Sequence, residues 1–120
     1  MGFFGDLGKA LLGAATGDND YANQVSSRYN LLDEREIINA IDECVNAAAS
    51  GNLSKSTGYR KGILDYITNR LRELDKKGDD GGVRFYKVKI NIAVSHCEKN
   101  SWISDIYRNI GSSLQNILDR

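Results

Sequence analysis

Apolar residues recur along most of this chain at the three-to-four-residue interval of an α-helix, between glycines, hydroxyls and carboxylates of the kind that start and stop helices. The sharpest such run extends from Asp33 to Ala48. Asp33 and Glu36 stand in D-x-x-E spacing, where each side chain can accept a backbone N–H left over at a helix start, and Leu32 and Ile37 occupy the positions of a hydrophobic staple. Ile37, Ile38, Ile41, Cys44, Val45 and Ala48 trace one face, and Ser50-Gly51-Asn52 supplies the stop. A second helix is predicted from Ser54 or Ser56 to Lys77, burying Tyr59, Ile63, Leu64, Ile67, Leu71 and Leu74. Lys76 and Lys77 lie at its electronegative end, and Gly78 terminates it. The short connection through Gly51 makes these two helices an antiparallel hairpin. A last helix, capped by Asn100 or Ser101, carries Ile103, Ile106, Ile110, Leu114 and Ile117, with Trp102 and Tyr107 flanking the seam.

Two stretches are less one-sided. Asp18 to Asn30 is polar, with Tyr21, Val25 and Tyr29 at fourfold spacing, and reads as a short helix or an ordered linker. Between Val83 and Ser95, Tyr86, Val88, Ile90, Ile92 and Val94 alternate with polar or small residues, which is the period of a half-buried strand. A strand must pair its backbone groups, however, and no other stretch matches this pattern except, weakly, Tyr21 to Leu31. Read as a helix, Tyr86, Ile90, Ala93 and Cys97 form one face, which Phe85, Val88 and Ile92 widen into a largely buried element with Asp79 or Asp80 as its cap. The helical reading is preferred. The fold class expected is therefore all-α, a compact bundle of about five helices spanning residues 18–120, with an α+β fold containing a strand at 83–95 as the alternative.

Residues 1–17 stand apart as an amphipathic N-terminal segment. Phe3, Phe4, Leu7, Leu11 and Leu12 follow near-helical spacing, with Asp6 and Lys9 the only ionisable side chains. Gly2, Gly5, Gly8, Gly13 and Gly17 each weaken a helix by about 1 kcal/mol relative to alanine, so the segment orders when its apolar side is covered. The cover is the bundle itself, another protein chain, or a membrane surface. Peripheral membrane contact is the weakest of these, because interfacial helices usually carry several Lys or Arg and this segment has Lys9 alone.

Composition adds bounds rather than identity. A chain of 120 residues that is 41% hydrophobic and 27% charged fits one globular domain able to bury a core without metals or disulfides. No run approaches the roughly 20 apolar residues of a membrane span, and no secretory signal is evident, so a cytoplasmic location is expected. Cys44 and Cys97 each lie in apolar sequence and are expected as buried free thiols rather than a pair. Proline is absent, which leaves helix ends to glycines and caps. Charge is zero overall but uneven: three bases face eight acids up to Ser50, and thirteen bases face eight acids after it. The two halves can attract within one chain, between copies, or through an anion bound to the basic half.

Candidate chemistry is sparse. One histidine, His96, stands beside Cys97 with no second His motif or C-x-x-C, so no metal site is expected. His96 with Cys97 or a serine and a distant carboxylate has the ingredients of nucleophilic catalysis but no strained nucleophile turn. Neighbouring acids such as Asp42 and Glu43 read as a solvated helix face. No catalytic residue, cofactor or small-molecule substrate is expected. A basic run with interleaved aromatics carries the one alternative, a nucleic-acid accessory role using Arg60, Lys61, Arg70, Lys76, Lys77, Lys87 and Lys89. The principal expectation is a small non-catalytic helical protein that binds another protein or itself, anchored by Phe3, Phe4, Leu7 and Leu11.

Overall fold

The computed structural model describes residues 12–120, with side chains from residue 19 onward. Phe3, Phe4, Leu7 and Leu11 lie outside the described residues. Five helices follow in order: α1 (Leu12–Arg28), α2 (Glu34–Ala49), α3 (Leu53–Lys76), α4 (Asp80–Lys99) and α5 (Asp105–Leu118), with no strand among the described residues. The molecule is an all-α bundle. The stretch 83–95 is helical throughout, which removes the strand alternative.

Local chemistry sets most boundaries. Asp33 caps α2 by accepting from the Arg35 N–H at 3.0 Å, and Glu34 and Glu36 place negative charge in its first turn. The reciprocal half of the expected capping box is not made. The Asp33 N–H donates instead to the Asn30 carbonyl, and Glu36 accepts from Asn39. Gly51, at φ +87, ends α2 in a left-handed turn, with its N–H on the Ala48 carbonyl and the Asn52 N–H on the Ala47 carbonyl. Gly78, at φ +71, ends α3 by the same pair of bonds, to the Asp75 and Leu74 carbonyls.

Two expected caps move. α3 is capped by Asn52, whose side chain accepts from the Lys55 N–H at 3.1 Å, rather than by Ser54 or Ser56. Asn52 thus closes α2 and opens α3 at once, leaving the serines inside the helix, where the buried Ser56 carbonyl accepts from the Cys44 thiol at 3.0 Å. α5 is capped by Ser104, rather than by Asn100 or Ser101. Asn100 is already committed to the end of α4 through the His96 carbonyl at 2.8 Å, and the Ser101 hydroxyl donates to the Glu98 carbonyl. Trp102 and Ile103 are consequently left in the connecting turn, 81% and 53% exposed, instead of joining the α5 seam.

The helices pack as two antiparallel hairpins, α2 with α3 and α4 with α5, and α1 lies along the side of α3. Cys44 meeting Ser56 fixes the first hairpin; Lys87 reaching the Leu118 carbonyl while Cys97 sits against Gly111 fixes the second. Ile37, Ile41 and Cys44 from α2, Tyr59, Ile63 and Ile67 from α3, Ile90 and Cys97 from α4, and Ile110 and Leu114 from α5 are sealed in one core with Val25 of α1. Gly62 permits α1 to approach, because a Cβ there would meet the Ala22 carbonyl oxygen and a Val25 methyl, each at 2.5 Å. Among the described residues, no helix is long and apolar enough to cross a membrane.

Both cysteines are free and buried, as the apolar setting implied. Burial, reinforced by the Asp42 carboxylate, pushes the Cys97 thiol up to about 12, so at neutral pH it is protonated. An aromatic disulfide reagent is expected to react with neither thiol in the native state, and with both once urea unfolds the chain. Fast native-state labelling of Cys97 would show the α4–α5 seam to be open.

Candidate interaction surface

Asp42 and Glu43 are sequence neighbours on α2, yet each leads into a different network rather than a solvated face. Glu43 accepts from Lys55 at 2.8 Å and from the Tyr29 hydroxyl at 3.1 Å, with Arg28 at 3.6 Å, so it gathers α1, α2 and α3 around one carboxylate. The Lys55 hydrogen bond holds the Glu43 carboxyl below its ordinary range, outweighing burial, which acts the other way. Burial, then the bond to Glu43, pushes the Tyr29 hydroxyl up to about 12. A depressed folded-state value means that the Glu43 contribution is complete above about pH 4.5 and is lost as pH falls through the lower folded value. Glu43→Gln is therefore expected to lower the urea midpoint at neutral pH, with the difference from wild type shrinking steadily below about pH 4.5. A constant difference across that range would remove the carboxylate charge as the cause.

Asp42 turns toward α4 and α5. Its Oδ1 accepts from the Tyr107 hydroxyl at 2.7 Å and lies 2.8 Å from His96 Nε2, and the imidazole and phenol rings meet edge to face at 5.7 Å. The other imidazole nitrogen, Nδ1, is 3.5 Å from the Asn100 amide. No described hydroxyl or thiol is hydrogen-bonded to His96 in the place of an attacking nucleophile. What the cluster does chemically is satisfy a half-buried carboxylate and a buried phenol across three helices. Among the described residues, no group of three His, Cys, Asp or Glu side chains could hold a metal ion.

The basic residues of the nucleic-acid alternative are dispersed. Lys61 lies 4.0 Å from Asp65 and 3.3 Å from the Asn19 amide oxygen, and Arg70 lies 3.4 Å from Glu73. Lys87 donates to the Leu118 carbonyl at 3.3 Å, closing the end of α5, and Lys89 donates to the Leu32 carbonyl at 3.1 Å. Arg60 is half-buried on α3, whereas Lys76 and Lys77 are exposed at its far end. Lys61, Arg70, Lys87 and Lys89 are thus drawn into the fold's own contacts.

The feature the sequence reading misplaced lies on α4. Phe85, Val88 and Ile92 do not widen the core face: they are 65%, 61% and 44% exposed and form a stripe on the outside of the bundle. At about 100° per residue, they sit roughly 140° round the helix from Tyr86, Ile90, Ala93 and Cys97, an angle that could have separated the two sets in advance. Arg84 and Lys89 border the stripe, each roughly 70° from its centre, and Lys99 continues its line; the helix's two acids, Asp80 and Glu98, lie roughly 110° away. Lys89 Nζ rests over the Phe85 ring at 4.6 Å. An apolar strip with basic borders thus runs along a rigid element anchored from behind by Tyr86, whose hydroxyl donates to the Leu31 carbonyl at 2.7 Å.

Fold and surface together define a small helical bundle with one helix apolar on both its inner and outer sides. Comparison with family models, with curated proteins and with solved structures finds no match to this chain.

Proposed function

We propose that this chain is a small, non-catalytic, cytoplasmic helical protein that acts by binding another protein or a second copy of itself. The observation that carries this reading is the outward stripe of Phe85, Val88 and Ile92. Large apolar side chains scattered singly on a surface mean little, whereas three in register on one helix, with charge on both borders, have the anatomy of an interface core and rim. Covering what they expose contributes on the order of 3 kcal/mol, too little alone to offset the entropy of association, so the partner supplies apolar area of its own. The N-terminal segment, with Phe3, Phe4, Leu7 and Leu11, is the chain's other apolar surface in this reading. Against the nucleic-acid alternative stands the pairing of Lys61 with Asp65 and of Arg70 with Glu73, and the use of Lys87 to close the end of α5.

A photocrosslinking residue placed at Val88 tests the reading against one placed at Asn109, which is exposed on α5 away from the stripe. The purified chain, alone and in extract of the organism that encodes it, is expected to form discrete adducts from position 88 and far fewer from position 109. Equal adduct formation from the two positions would overturn the assignment.

A further inference from the structure

We propose that the α4 stripe receives the N-terminal apolar segment, Phe3, Phe4, Leu7 and Leu11, of a second copy of this chain, so that two copies exchange segments. This rests on the reading of α4's outer face as a docking surface and adds the occupant. Dimension, charge and connectivity select it. From Phe85 to Ile92 the stripe runs about 10 Å along α4, and at helical spacing Phe3 to Leu11 would span about 12 Å, so the two apolar rows match in length. The borders of the stripe are basic, through Arg84, Lys89 and Lys99, and the first twenty residues are acidic on balance, with Asp6, Asp18 and Asp20 against Lys9.

Connectivity places the occupant in the other copy. The chain meets α4 just after α1 ends, where Lys89 in mid-stripe donates to the Leu32 carbonyl. Leu12 begins α1 and stands about 24 Å along that helix from Arg28, the end that leads into this contact. Leu11 is bonded to Leu12, so a segment docked on its own α4 would have to double back along the length of α1. In a second copy no such reversal is needed, and reciprocal exchange uses both stripes and closes the assembly at two.

Sedimentation velocity of the full chain, of Phe3→Ser/Phe4→Ser, of Val88→Asp and of the two variants mixed tests this, with circular dichroism confirming equal helix content. The wild type is expected at twice 13.3 kDa. Each variant alone is expected at half the wild-type mass. A mixed pair keeps one of the two contacts, the intact segment of the second variant on the intact stripe of the first, so the mixture is expected to form more dimer than either variant alone, with weaker affinity than the wild type. A wild type that stays monomeric, variants that remain dimeric, or a mixture that forms no more dimer than the variants alone at the highest concentration reached each overturn the exchange. If position 88 still forms adducts in extract while the pure chain is monomeric, the docking surface stands and its occupant is another protein; if position 88 forms none either, both readings fall.

Discussion

Truncating Tyr59 to alanine is expected to destabilise the fold by about 4 kcal/mol, the largest effect of any single change considered, measured as the shift in free energy from urea unfolding. Tyr59 is completely buried in α3, and the rings of Tyr21, midway along α1, and Tyr29, just past its end, meet it edge to face at 6.2 and 6.3 Å. Its hydroxyl accepts from Arg28 at 2.7 Å, and Lys55 Nζ stands 5.4 Å from its ring. Removing the ring therefore leaves a void where α1, α2 and α3 converge, and hydrogen exchange of the α1 amides should quicken more than that of α4. Tyr59→Phe keeps the ring and loses only the bond to an exposed guanidinium, so its shift is expected to be small. Equal loss in the two variants would show that the hydroxyl, rather than the packed ring, anchors α1.

A second expectation concerns the sign of one substitution at two places. Gly62→Ala is expected to destabilise by about 2 kcal/mol, because the added methyl meets the Ala22 carbonyl, which is backbone and yields only if α1 moves off α3. That overpacking outweighs the gain of about 1 kcal/mol that alanine brings to a helix interior. Gly81→Ala, in the first turn of α4, meets nothing closer than the Asp79 side chain at 3.9 Å and is expected to stabilise by up to about 1 kcal/mol. Thermal and urea unfolding of the pair read the contrast directly. A stabilised Gly62→Ala would mean that α1 does not sit against α3 at this distance.

In the proposed exchange the docking of α1 bears on binding as well, since the N-terminal segment is joined to α1 at Leu12. Variants that loosen α1, such as Tyr59→Ala, remove the fixed starting point of that segment without touching the α4 stripe. In that proposal the interface and the fold are coupled through one helix.

Much of the architecture was legible in the residue pattern. The Asp33 cap, the Gly51 and Gly78 stops, and the core faces of α2 and α3 depend on neighbours a few positions away, and so local spacing carries them. The α4 pattern was ambiguous for a physical reason. A core face at Tyr86, Ile90 and Val94 and an outer stripe at Val88 and Ile92 interleave on one helix, and together they imitate the alternation of a strand.

Long-range relations were not legible in this way. That Asp42 would meet His96 and Tyr107, that Glu43 would meet Tyr29, Lys55 and Arg28, and that Gly62 would lie against Ala22 depends on which helix faces which. Periodicity tells a helix which of its sides is apolar, but it is silent on the neighbour that covers that side. For α4 both sides are apolar, and packing covers one of them; the choice between core and surface emerged when α2, α3 and α5 closed over Tyr86, Ile90 and Cys97 and left Phe85, Val88 and Ile92 facing out.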